Sequence, residues 1–277
     1  LVRGAQRHVM ACAKHFAANS IEDTRFSVDV RMDARTLREV YLPHFSKCVE
    51  AGAACVMSAY NTVNGAHCGQ NRRLLRDILK KEWNFDGFVM SDFIFGIRNG
   101  RAAVLGGQDM EMPCAIHFGG NLKKLVRDGE APGFAIDESV TRILRQKARF
   151  ANVGEPQRYK RTAVAGEAHR QLALDAAEKG MVLLRNRDTT LPLDRAAVKR
   201  LAVFGDLADR ANIGDRGSSS VHPPEVITPL QGIKKAAGTN IKVAYDKNGK
   251  IRRARRLAGQ CDAAVVVVGT TWRDEGE

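Results

Sequence analysis

Three apolar runs in the first half of the chain each end in side chains that can bind or react. Residues 9–16 close on Lys14 and His15, residues 54–61 carry Met57 and close on Tyr60 and Asn61, and residues 87–90 lead into Ser91 and Asp92. In a barrel of parallel strands, catalytic groups sit at the C-terminal strand ends, so a carboxylate at Asp92 would face a cleft rather than bulk solvent. Lys14 and His15 supply a cation and an imidazole, which can hold sugar hydroxyls or a carboxylate. Asn19, Glu22 and Arg25 follow in one loop, spaced so that they can converge. A second role competes at Asp92. Ser and Asp are favoured helix caps, and a helix starting just after the strand would use the carboxylate in that way.

Periodicity shows the elements that must position these groups. Asp33 is placed to cap a helix whose apolar stripe is Leu37, Val40, Tyr41 and Phe45, with Gly52 as its stop. Residues 71–83 read as a second helix with Leu74, Leu75, Ile78 and Leu79 inward, and helices are also expected at 97–105, 122–127 and 136–150. Residues 27–30 and 106–113 read as further short strands. Strands alternating with helical crossovers mean an α/β fold with parallel pairing, as part of a barrel or an open sheet. Residues 151–166 lose periodicity and gain Gly and Pro, which marks a linker between a domain at 1–150 and another at 167–277. The second domain opens with a helix at 167–180 and contains near-continuous apolar strands at 201–205 and 265–268. Such strands imply that both sheet faces are covered, as in a three-layer sandwich.

Composition narrows the function classes. No apolar run approaches the ~20 residues of a membrane helix, so no membrane partner is expected. The formal charge of +13 is spread over both halves and is densest at 247–256. A basic run of this kind can contact nucleic acid. Here Ile251, Ala254, Leu257 and Ala258 recur at helical spacing, leaving the arginines on a solvated face, and no aromatics interleave. Nucleic acid is therefore not an expected partner. The six cysteines form no C-x-x-C pair and no metal-ligand spacing, so no metal is expected. Most have apolar neighbours and read as buried free thiols, which leans towards a reducing, cytoplasmic compartment. The Gly- and Ser-rich loop at 214–221 lacks the P-loop pattern, and the strand at 201–205 lacks G-x-G-x-x-G, so no nucleotide cofactor is expected. Nothing in the sequence sets an oligomeric state.

Taken in order, these pieces resemble glycoside hydrolase family 3, the β-glucosidase and β-xylosidase group. The matching residues are Lys14-His15-Phe16 with Asn19, Glu22 and Arg25, then Arg35-Thr36-Leu37-Arg38-Glu39 with Tyr41-Leu42-Pro43. Val56-Met57-Ser58-Ala59-Tyr60-Asn61, Gly87-Phe88-Val89-Met90-Ser91-Asp92 and Asp109-Met110-Glu111-Met112-Pro113 follow. In the second half Val182-Leu183-Leu184-Arg185-Asn186, Leu191-Pro192-Leu193, Gly217-Ser218-Ser219-Ser220-Val221 and Glu275-Gly276-Glu277 match. The resemblance implies a partial (β/α)8 TIM-type barrel followed by a partial three-layer α/β/α sandwich. It implies a retaining β-glycosidase acting on an oligosaccharide or glycoside, without a cofactor. Asp92 falls on the nucleophile and Glu277 on the acid/base, with Glu275 as the alternative register. Lys14, His15, Met57 and Tyr60 fall on the glycone subsite, with Arg25 in the same loop region.

That chemistry suits the residue types. Retention needs two carboxyl groups about 5–5.5 Å apart, one ionised and one protonated. Lys14 and Arg25 could keep the first ionised, and burial by bound sugar would favour the protonated form of the second. Tyr60 and Trp272 offer flat faces for a pyranose ring. Two departures stand out. Phe93 replaces the usual Trp after the nucleophile, and the loop after His15 lacks the Gly-His and Asp pattern of the N-acetylglucosaminidase branch. Family members extend beyond both ends of this sequence, so the chain reads as an internal piece. The competing expectation is a non-catalytic carbohydrate-binding or inactive remnant of such an enzyme.

Overall fold

The computed structural model describes residues 1–154, 160–214 and 217–275. The chain divides into two compact units, Leu1–Arg158 and Tyr159–Glu277. Both are α/β.

The strands of the first unit are β1 (Cys12–Phe16), β2 (Asp29–Val30), β3 (Cys55–Ser58), β4 (Thr62–Val63), β5 (Ala66–His67) and β6 (Phe88–Met90). β1, β3 and β6 form a parallel sheet in that order. The other three make a small side sheet, β2 parallel to β4 and β4 antiparallel to β5. A parallel neighbour cannot be reached by a tight turn, so helices must carry the chain back. Pro43–Glu50 does this between β1 and β3, and Arg73–Glu82 between β3 and β6. Leu74, Leu75, Ile78 and Leu79 are buried as their spacing predicts, in one cluster with Phe16, Val56 and Val89 of the sheet. Phe16 anchors both crossovers, meeting the Phe45 ring edge-on at 5.0 Å and Trp83 at 6.0 Å.

Asp33 caps its helix as expected, accepting the Thr36 N–H at 2.6 Å. The stripe beyond it differs from the expectation. Pro43 lacks an N–H and opens a new helix at its first turn. Leu37 and Phe45 are buried across this restart, whereas Val40 is exposed. Gly52, at φ +83, closes the segment. After β6 the helix Gly100–Gly106 returns the chain to Met110, which makes a single parallel bridge to Met90. The strand expected at 106–113 is reduced to that bridge. The helices Gly120–Arg127 and Gly133–Arg149 complete the unit.

The second unit has β7 (Arg200–Phe204), β8 (Lys242–Asp246) and β9 (Ala263–Val266), all parallel, in the order β8-β7-β9. Central β7 is buried on both faces from Leu201 to Phe204. On edge strand β9 burial alternates, and Val266 and Val268 are exposed, so the expected double coverage holds for β7 and not for β9. The helix Ile251–Ala258 presents Arg252, Arg253, Arg255 and Arg256 to solvent, with Arg253 3.5 Å from Asp246. Ile251, expected inward, is also exposed. Thr228 closes a full capping box with Gln231 on the helix Pro229–Ala237. Thr228→Ala should lower the stability of this unit by about 1 kcal/mol, read from the urea midpoint of the isolated chain at unchanged slope. A midpoint equal to wild type would contradict it.

Of the six cysteines only Cys55 and Cys68 are buried; Cys12 is exposed because β1 shows that side to solvent, and Cys114 is exposed in a loop. Among the described residues, no helix is long and apolar enough to cross a membrane, and no cluster of three metal-ligating side chains occurs.

Candidate functional site

β6 delivers Asp92, and buried polar groups hold that strand from behind. The Asp109 carboxylate accepts the Val89 N–H at 2.8 Å, the Lys80 ammonium at 2.6 Å and the Ser139 hydroxyl at 2.9 Å. Gln108 donates to the Val89 and Met110 carbonyls and accepts from the Ser58 hydroxyl of β3 at 3.2 Å. Ser91 donates its N–H to Met110 and accepts the Met112 N–H on its hydroxyl at 2.9 Å. Each bond is modest by itself. Together they leave the chain little freedom where it turns out of the sheet.

Asp92 is buried at that turn. Its Oδ1 accepts the Phe93 N–H at 2.8 Å. Its Oδ2 is also buried, accepts no hydrogen bond among the described residues, and lies 3.4 Å from His15 Nε2. Buried polar atoms are nearly always satisfied, so an orphan acceptor marks a functional site or an absent partner. The competing role as a helix cap fails on geometry. The next helix starts at Gly100, and Asn99 caps it by accepting the Ala102 N–H at 2.8 Å.

Two glycines shape the turn. A Cβ on Gly96 would lie 2.5 Å from the Asp92 carbonyl oxygen and 2.7 Å from its nitrogen, and a Cβ on Gly69 would lie 1.9 Å from the Gly96 carbonyl oxygen. Three backbone segments therefore stack with no room for a methyl group. Gly96→Ala should push the Asp92 backbone out of place and lower the urea midpoint of this chain, whereas Gly4→Ala, which meets nothing within 4 Å, should leave it unchanged. Equal midpoints for the two variants would exclude the steric role of Gly96.

The remaining site residues are distributed as follows. His15 ends β1 beside Asp92. Lys14 precedes it, exposed. Met57 is half-buried on β3, opposite Met90. The Tyr60 hydroxyl donates to the Phe93 carbonyl at 2.8 Å, tying the end of β3 to the residue after Asp92. Arg25 and Asn19 both converge on Glu22, at 2.5 and 3.0 Å, and the Arg25 guanidinium lies over the Phe26 and Tyr60 rings at 4.9 and 5.4 Å. Lys14 and Arg25 are the counter-charges expected of Asp92, and among the described residues His15 also comes within ion-pair distance of it, its Nε2 3.4 Å from Oδ2. Glu277 lies outside the described residues. Glu275 falls in the second unit, at the end of the short helix Trp272–Glu275. Trp272 of that helix has the Arg273 guanidinium over its ring at 5.3 Å.

The supporting residues Lys80, Gln108, Gly69 and Gly96 are absent from the site expectations read from sequence, and Asp109 appears there only within a matching motif, with no role given. A signal for two of them was present: Gln108 and Asp109 are polar residues at the end of an apolar run that must return to the sheet. The site as built is a carboxylate with one uncommitted oxygen beside an imidazole, at the C-terminal end of a parallel strand. A carboxylate oxygen with no hydrogen bond keeps its lone pairs available to act as a nucleophile or a base.

Comparison with known proteins adds to this geometry. The model of the glycosyl hydrolase family 3 N-terminal domain matches residues 1–146, and that of the C-terminal domain matches residues 181–277. A thermostable β-glucosidase B of Acetivibrio thermocellus is 36% identical over all of this chain, which covers 37% of that protein. A β-glucosidase of Bacteroides ovatus is 34% identical over 99% of the chain and is covered to 38%. The chain thus spans well under half the length of these relatives. Among solved structures, a Streptomyces venezuelae β-glucosidase in complex with D-glucose aligns with a TM-score of 0.74 and 35% identity, covering 86% of this chain and 32% of that one. β-Glucosidase 3B of Thermotoga neapolitana with glucose gives 0.79 and 31%, covering 97% and 42%.

Proposed function

The chain belongs to glycoside hydrolase family 3, and from that membership we propose that the protein it represents is a retaining β-glucosidase. The observation that carries this reading is Asp92, whose buried Oδ2 is left without a hydrogen bond among the described residues at the end of β6. In the proposed reaction Asp92 attacks the anomeric carbon of a terminal β-D-glucosyl residue while a carboxylic acid protonates the departing oxygen. Water, deprotonated by the same second carboxylate, then releases glucose from the glycosyl–Asp92 ester with net retention. The second carboxyl group is Glu277, with Glu275 as the alternative register. Lys14, His15, Met57 and Tyr60 bind the glycone, and Arg25 braces the loop beside it. On this reading residues 1–150 are the C-terminal part of a TIM-type barrel. Residues 151–166 are a linker, and residues 167–277 are the N-terminal part of an α/β/α sandwich. Relatives that are β-glucosidases, two of them solved with glucose, support glucose as the glycone.

A 2-deoxy-2-fluoro-β-glucoside with an activated leaving group tests the assignment in the full-length enzyme. The expected outcome is a stable adduct on the peptide carrying Asp92 and an anomer-retained first product with the ordinary substrate. An adduct on any other carboxylate, or an inverted product, would sink it.

A further inference from the structure

Two thiols at the start of β1 and β3 have no part in the chemistry above. The strands pair in parallel with Cys12 directly opposite Cys55. Adjacent strands lie about 4.8 Å apart, inside the Cα separation of about 4.4–6.8 Å that a disulfide can span. The two sulfurs share a hydrogen bond at 3.3 Å, so closure to a bond of about 2.05 Å asks for little more than a side-chain rotation. The register here is pinned. Cys55 donates its N–H to the Ala11 carbonyl, and the Gln6 side chain accepts from Ala11 and Ala54, the residues just before the two strands. Cys12 is exposed and Cys55 is buried, which gives the pair a front and a back.

We propose that Cys12 and Cys55 form a redox pair, Cys12 attacking and Cys55 resolving, that closes to an intramolecular disulfide on contact with a low-molecular-weight disulfide such as oxidised glutathione. The hydrogen bond with Cys55 and the Lys14 ammonium hold the Cys12 thiol below its ordinary pKa in spite of partial burial. The same bond and burial push Cys55 upward. Thiolate is the attacking species, so the first step belongs to Cys12. Its thiolate displaces one glutathione thiolate from oxidised glutathione, leaving a mixed disulfide on Cys12. Cys55 then loses its proton to the released thiolate, attacks the Cys12 sulfur, and expels the second glutathione, which leaves as thiolate and takes up a proton from water. Two protein thiols are oxidised and one glutathione disulfide is reduced to two thiols. The product staples the strand bearing Lys14 and His15 to the strand bearing Met57.

The chain is prepared under reductant, desalted, treated with oxidised glutathione, then denatured and alkylated with a maleimide. Six thiols label before treatment. Four are expected to label after it, with a mass loss of two hydrogen atoms and a cross-linked peptide joining Cys12 to Cys55. Cys55→Ser should instead stop at a stable glutathione adduct on Cys12, and Cys12→Ser should leave Cys55 unmodified. The wild-type thiol count decides the matter even where a variant misfolds. Six labelled thiols after treatment, a disulfide joining another pair, or glutathione retained on wild-type Cys12 would each overturn the proposal.

Discussion

Asp92→Asn in the full-length enzyme should lower kcat on an aryl β-glucoside by about ten-thousandfold or more, the scale seen when a nucleophile is removed. Asparagine keeps an oxygen to accept the Phe93 N–H, so the turn after β6 should survive. What it loses is the charged oxygen beside His15, and an amide cannot form the glycosyl ester. The effect should appear in kcat with KM changed far less, since an aspartate acting as nucleophile contributes mainly after substrate is bound. Asp92→Gly separates a chemical role from a structural one. Azide admitted to the space left by the side chain should restore turnover, attacking the anomeric carbon and yielding the glycosyl azide of inverted configuration. Residual activity within tenfold of wild type, or azide giving no rescue while the protein stays folded, would remove Asp92 from the nucleophile's place.

The second large effect concerns Asp109, whose carboxylate lies behind β6 and is committed to Val89, Lys80 and Ser139. Its side chain is 0% exposed and its Lys80 partner 3%. Removing one member of such a pair leaves an uncompensated buried charge, a cost of about 3–5 kcal/mol. Asp109→Ala would also strand the Val89 N–H, while the Ser139 hydroxyl would keep only the Ala135 carbonyl as acceptor. Urea unfolding of this chain, followed by circular dichroism, should show the first unit destabilised by that amount or already unfolded. Replacing both partners by apolar residues, Lys80→Met with Asp109→Leu, should recover most of the loss. A single-variant cost below about 1 kcal/mol, or a double variant worse than Asp109→Ala, would contradict this account. Burial holds the Lys80 ammonium below its ordinary pKa, with Asp109 pulling the other way. The folded chain therefore binds that proton less tightly than the unfolded one. The resulting cost is fully present below the folded pKa and is relieved as the pH climbs from there to the ordinary lysine value.

These expectations separate what local sequence could determine from what it could not. The strand–helix alternation was legible because hydrophobic period is a local property. Leu74, Leu75, Ile78 and Leu79 sit at helical spacing whatever they pack against, and they are buried. Asp33 could be read as a cap for the same reason, since its partner is three residues away. Val40 and Ile251 could not be placed. Their exposure depends on where a helix restarts and on what covers it, which are facts about neighbours distant in sequence. The candidate site shows the same division. Lys14, His15, Tyr60 and Asp92 could be singled out as chemically able residues at the ends of apolar runs. That Asp92 is no helix cap, that His15 is the basic group 3.4 Å from it, and that Gly96 and Gly69 admit no methyl group were decided by tertiary structure. Asp109 and Gln108 matter only because the chain returns to lie against β6, a contact that spans some twenty residues. Sequence determines which side chains can react and the local elements that carry them. Which of those side chains meet is set by long-range pairing of strands, because an orphan carboxylate oxygen or a stacked glycine exists only once the distant backbone has arrived beside it.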